Sequence, residues 1–209
     1  MTKLADLSKM FPRKVVLLAT TQLREKHLLF KFAHAYLKST EGDKKKLIWV
    51  STDQPADKVP SIFKDYGYPI KEYTDRILFL DLVSTGAGVE LPKTDLNIEY
   101  IENPDNIVET SMTMSDLFDD PEVGLAVIDS VNGVLAFNGR ERVTQLLRFL
   151  SPIARKTNTT ILLSYERGEF PRDMETAVRL TADVTMAVEG KTLVLMTRKG
   201  TARLELGKG

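Results

Sequence analysis

The chain contains no cysteine, which excludes a disulfide framework, a thiol nucleophile and any thiolate metal site. It has no net charge either, since Lys and Arg number 29 and Asp and Glu number 29. No whole-chain field therefore draws it to nucleic acid or to an anionic membrane. Apolar runs are short, and none approaches the roughly 20 residues that a membrane-spanning helix needs. The opening residues, MTKLADLSKMFPRK, lack the apolar centre of a secretory signal. These absences point to a cytoplasmic protein without a membrane segment. Glycine is missing from the N-terminal fifth, the first being Gly42, and that gap matters below.

What is present is a length of 209 residues, suited to one α/β domain over 1–209. The chain is organised around residues 14–38. Val15 to Ala19 is an aliphatic run of the kind that a parallel sheet buries on both faces. Leu28, Leu29, Phe32, Ala33, Tyr36 and Leu37 recur at helical spacing. The pattern predicts a buried strand, a turn and an amphipathic helix. Further strands are expected at 47–51, 77–83, 125–128 and 160–164, with a short extra one at 97–101. Helices are expected at 59–66, from Asn103-Pro104 to about Asp120, from Asn138-Gly139 to a kink or break at Pro152, and around 173–180. Turns at Glu189-Gly190 and Lys199-Gly200 divide the C-terminal segment into three strands of an antiparallel meander. Strands alternating with helices predict a mostly parallel sheet covered on both sides. The segment 84–96 reads as loop, with no signal that assigns it a role.

Four landmarks fall in order along the chain. The first strand leads into a helix LLFKFAHAYL. The second ends in STDQP and is followed by a helix ending in YGY. An apolar strand ends in Asp-Ser (AVIDS). A strand within LTADVTMAV leads to the hairpin TLVLMTRKGTARLEL. In this order and spacing the sequence resembles the KaiC-like branch of the RecA superfamily of P-loop ATPases, of the uncharacterised archaeal type, over essentially the whole chain. The resemblance implies a three-layer α/β/α RecA-like core that assembles into rings or filaments, with ATP held between subunits.

The phosphate loop of that family does not survive in these residues. The helix pattern places Ala19-Thr20-Thr21-Gln22-Leu23-Arg24-Glu25-Lys26 on it. Ala19 and Arg24 then replace the motif glycines, Glu25 replaces the phosphate-binding lysine, and Lys26 replaces the Mg²⁺-binding hydroxyl. A shift by one residue restores Lys26 to the lysine position but puts Thr20 and Glu25 on the glycines and His27 on the hydroxyl. A phosphate loop needs glycine because its N–H groups converge in conformations that a Cβ resists. A lysine–phosphate contact at ~4 Å is worth roughly 4 kcal/mol at an effective dielectric near 20, so a glutamate in its place swings the balance by up to about 8 kcal/mol. Glu25 instead suits the positive N-terminal end of the helix, with Thr20 or Thr21 supplying the N-cap oxygen.

Other positions carry over from the resemblance. Asp129, with Ser130 after it, stands at the Walker B position. It would orient Mg²⁺ and water beside a bound nucleotide, and otherwise caps the turn after its strand. Asp53 lies near the family's catalytic acidic pair. Arg198 and Lys199 sit on the final hairpin, where relatives carry basic residues that reach into the neighbouring site, although Thr197 occupies the first of those positions. His27 and His34, the only histidines, read as part of an exposed polar face with Lys31 and Lys38, and Trp49 reads as core.

Three functions compete. A RecA-fold binding, assembly or regulatory subunit without a nucleotide cofactor acts through a protein partner or a homo-oligomer. A divergent ATPase uses ATP and Mg²⁺ through Lys26, Asp53 and Asp129. A recombinase-related protein binds nucleic acid through the basic C-terminal hairpin. The lost phosphate loop favours the first.

Overall fold

The computed structural model describes residues 7–87 and 91–206. A short helix α1 (Leu7–Met10) precedes β1 (Val15–Thr20), whose side chains are all buried. The chain continues through α2 (His27–Ser39), β2 (Lys46–Ser51), α3 (Val59–Asp65), β3 (Ile77–Asp81) and β4 (Ile98–Tyr100). It returns through α4 (Ile107–Phe118), β5 (Val123–Ile128), α5 (Val131–Thr157), β6 (Thr160–Glu166) and α6 (Arg172–Thr181). The meander β7 (Val184–Glu189), β8 (Thr192–Thr197) and β9 (Gly200–Glu205) follows.

All nine strands join one sheet in the order β4-β3-β2-β5-β6-β1-β7-β8-β9. Pairing is parallel from β4 to β7 and antiparallel from β7 through β9. The expected mostly parallel sheet with a C-terminal meander is the observed one. Alternate residues of each strand feed two apolar layers. Val16, Leu18, Trp49, Phe79 and Val127 pack under α2 and α3. Val15, Leu17, Val50, Leu80, Ala126 and Ile128 pack under α4, α5 and α6. Trp49 is fully buried, stacked among Phe30 and Phe63 at centroid distances of 5.0 and 4.9 Å. Among the described residues no helix is long and apolar enough to cross a membrane.

Several boundaries differ from the sequence reading. Helix α4 starts at Ile107 because Asn106, not Asn103, accepts the N–H of Glu109 at 3.3 Å. Helix α5 starts at Val131, directly after β5, because the Ser130 hydroxyl accepts the N–H of Gly133 at 3.1 Å. At Gly139, φ 69° and ψ 170° divide α5 into two helical segments, so the helix expected from Asn138-Gly139 is the second of them, and glycine adopts that conformation without steric cost. Pro152 does not break the helix, since Leu150, Ile153 and Ala154 are buried around it and offset the lost backbone bond. His34 is not on an exposed polar face: its ring lies 5.8 Å from Tyr68 and 6.1 Å from Tyr73. Burial and the Lys38 charge lower its pKa, against a smaller opposing effect of Glu72. Part of the 84–96 segment, residues 88–90, lies outside the described residues.

Candidate functional site

The chain leaves β1, crosses to β2, and returns to fill the gap with β5 and β6. The crevice at the carboxyl ends of such strands is where open α/β sheets place ligands. A cleft of about 260 Å³ lies there, lined by Thr20, Lys26, Asp53, Ser130, Asn132 and Gly133 together with Glu166 and Glu169. The topology thus gathers Thr20, Lys26, Asp53, Asp129 and Ser130 at one place. Arg198 and Lys199 sit apart, exposed at the tip of the β8–β9 hairpin.

The turn after β1 tightens into a 3-10 helix (Leu23–Lys26) that runs into α2. Neither Thr20 nor Thr21 caps it. Thr20 directs its hydroxyl to the Tyr165 carbonyl at 3.4 Å, and neither helix segment carries a side-chain cap. The carboxylate of Glu25 acts instead. It is 7% exposed and accepts the Thr21 N–H at 2.7 Å, with the Thr21 hydroxyl 3.3 Å away. An anion supplied by the chain itself therefore sits in the first turn, at the positive end of the helix, and ties it to the residue before the N-cap. The side chain of Arg24 lies outside the described residues. Replacing Glu25 by Ala is expected to cost about 1–2 kcal/mol in urea unfolding, with Glu25→Gln intermediate. An unchanged midpoint for Glu25→Ala would remove the capping role.

Lys26 forms an ion pair with Asp53. Burial works to lower the lysine's pKa, but the bond to Asp53 and the charges of Asp53 and Asp129 outweigh it, and the net shift is upward. Asp129 is held from the residue after β2: its Oδ1 accepts the Thr52 N–H at 2.9 Å and lies 2.7 Å from the Thr52 hydroxyl. It does not cap its own turn, a task that falls to Ser130. Burial, reinforced by the Asp53 charge, pushes Asp129 up to about 6, against the opposing pull of Lys26 and Thr52.

Three residues at or beside the cleft carried no sequence signal that singled them out. Thr52 fixes Asp129, as above. The Asn132 amide donates to the Glu166 carbonyl at 2.9 Å and to the Glu169 carboxylate at 2.6 Å, and its Oδ1 accepts the Glu166 N–H at 2.8 Å. It thereby ties α5 to the end of β6. Gly133 lies so close to the turn after β2 that a Cβ there would stand 2.6 Å from the Thr52 carbonyl oxygen and 2.8 Å from Asp53 Oδ1. The one usable hint is the spacing Ser130-x-x-Gly133 after an apolar strand, an N-cap pattern. Among the described lining residues Lys26 is the sole cation, facing Asp53, Glu166 and Glu169.

No family model and no curated protein sequence matches the chain. Among solved structures it is similar to the KaiC-like protein PH0186 from the hyperthermophilic archaeon Pyrococcus horikoshii OT3, at 14% identity and a TM-score of 0.62 over 93% of this chain and 83% of that one. It is also similar to the uncharacterized protein PH0321 from Pyrococcus horikoshii, solved in complex with an unknown peptide, at 16% identity and a TM-score of 0.65 over 93% of this chain and 84% of that one. With its nine-stranded, mostly parallel sheet and these neighbours, the chain has a KaiC/RecA-like fold, a three-layer α/β/α core.

Proposed function

We propose that this KaiC/RecA-like domain has given up ATP binding and hydrolysis and acts through protein contacts, as an assembly or regulatory subunit. The observation that carries the reading is the buried Glu25 carboxylate on the Thr21 N–H at 2.7 Å. A triphosphate seated on this turn would meet that carboxylate, not a ring of glycine N–H donors. Two further features support it. Asp53 occupies the Lys26 ammonium, and the charged groups lining the cleft are the carboxylates of Asp53, Glu166 and Glu169 against that one ammonium, a balance that repels a polyanion. The residues present do not fit ATP. The peptide bound to the PH0321 protein supports a role in protein contact for this fold.

Isothermal titration with ATP–Mg²⁺ tests the reading. No saturable heat is expected in the range of Kd below about 1 mM. Micromolar binding accompanied by turnover would overturn it in favour of the second reading, a divergent ATPase. The convergence of Lys26, Asp53 and Asp129 on one cleft motivates that alternative, which requires Asp129→Ala to abolish turnover and Lys26→Ala to weaken nucleotide binding. A nucleic-acid role through the C-terminal hairpin has less support, because Arg203 is already engaged by Glu189 at 2.8 Å.

A further inference from the structure

The two edges of the sheet are managed differently. At one end β4 has only three residues, Ile98–Tyr100, and offers little backbone to a passing strand. At the other end β9 runs for six, Gly200–Glu205, and among the described residues pairs only with β8. It contains no proline, and its register against β8 advances without a bulge. The usual devices that blunt a long edge are thus missing apart from its two charges.

The hydrogen-bond parity of this edge is fixed. Leu206 donates its N–H to the Lys191 carbonyl at 2.8 Å. Because backbone groups alternate in direction along a strand, Ala202 and Leu204 also turn theirs toward β8. Thr201, Arg203 and Glu205 then turn their N–H and C=O groups to the free edge. Side chains alternate as well. Leu204 and Leu206 pack partly buried against the apolar layer beneath α2, while Arg203 and Glu205 stand exposed on the other face.

An antiparallel pairing of β9 with a second β9 about a two-fold axis at Leu204 satisfies every one of these constraints. It sets Arg203 opposite Glu205 of the second copy, and Glu205 opposite its Arg203. Both members of each pair have outward backbone groups, so each pair exchanges both N–H···O bonds, as an antiparallel ladder requires. Each also juxtaposes opposite charges, which is favourable across strands. Leu204 meets its own copy in the closely spaced, non-hydrogen-bonded position, and Leu206 meets Ala202, extending the apolar layer across the join. Other centres fail. An axis at Arg203 opposes Arg to Arg, and one at Glu205 opposes Glu to Glu. An axis at Ala202 leaves Glu205 facing the turn beyond the strand.

We propose that two copies of this chain associate edge to edge through β9 in this register, joining their sheets into one. The interface is isologous, so one strand supplies both halves of each charge pair. It names a partner for the protein-contact reading but does not rest on it, since the β9 edge is remote from the cleft in sheet order.

The test is light scattering on the nucleotide-free chain, combined with charge reversal and a single cysteine. The unaltered chain is expected to be a dimer. R203E and E205R should each place like charges opposite one another and weaken dimerisation roughly tenfold or more, while the double variant R203E/E205R should restore it. Loss of the internal Arg203–Glu189 contact cannot produce that restoration. L204C, in a chain with no other cysteine, should cross-link to itself under mild oxidation. Facing residues at that position have Cα atoms about 4.5 Å apart, within disulfide reach. T201C, which has no copy of itself opposite, should not. A monomer at every concentration up to the solubility limit would overturn the proposal. So would a dimer that ignores both single reversals, or one in which L204C fails to cross-link.

Discussion

Replacing Asp129 by Asn is expected to stabilise the protein at pH 7.5 and to leave it unchanged below about pH 4. In the native state the Asp129 carboxyl lies at about 6, above its ordinary value of 3.8, so the folded chain holds that proton more tightly than the unfolded chain. The stability this provides is complete below about pH 3.8 and is lost as pH rises through about 6. Above neutrality the native protein carries a buried anion, which asparagine replaces by a neutral amide of the same shape. The Asn Oδ1 still accepts the Thr52 N–H now held by Asp129 at 2.9 Å. The upward shift corresponds to about 2–3 kcal/mol at pH 7.5, or roughly 4–12 °C in melting temperature for a chain of this size. Thermal melts of both proteins from pH 4 to pH 8 check it. A difference that does not grow with pH would show that Asp129 is not the group being penalised.

Arg76→Met is expected to destabilise by about 3–5 kcal/mol, lowering the melting temperature by roughly 6–20 °C. Arg76 is only 8% exposed. Its Nη1 donates to the Leu37 carbonyl at 3.0 Å, and its Nη2 donates to the Thr40 hydroxyl and the Lys45 carbonyl, each at 2.8 Å. Its Nε reaches the same Lys45 carbonyl at 3.1 Å. These acceptors lie at the end of α2 and in the loop before β2, so one guanidinium closes the helix and fixes the entry to the next strand. Methionine fills the volume but leaves those carbonyls without donors. The cation also sits at the negative end of α2, where a positive charge is favoured. Arg76→Lys should recover only part of the loss, since an ammonium cannot reproduce the planar fork. Chemical denaturation of the three proteins decides the matter, and a loss below about 1 kcal/mol for Arg76→Met would assign closure of α2 to other groups.

How much could be read from residues alone differs sharply between fold and cleft. The strands were legible because parallel strands buried on both faces are written as unbroken aliphatic runs, as in Val15–Ala19 and Leu125–Ile128. The α2 stripe was legible because helical spacing is local. Helix starts were less so: Asn103 and Asn106 are both good caps, and only the three-dimensional path decides which one meets a free N–H. Arg76 gave no signal, since nothing in its neighbours marks a charge destined to be buried against another element's carbonyls.

The sequence by itself determined that no glycine-lined phosphate loop follows β1, because composition at 14–41 admits no other reading. It also determined an alternating α/β chain with a terminal meander, because hydrophobic period and turn residues are properties of neighbours. Only the tertiary structure decided how the turn after β1 and the cleft beside it are filled: Glu25 folded back on Thr21, Asp53 on Lys26, Thr52 on Asp129, and Gly133 against the Thr52 carbonyl. Apart from the first, each of these joins groups brought together by crossovers between separate strands. No local pattern encodes such distances, which arise from the order in which the strands are laid into the sheet.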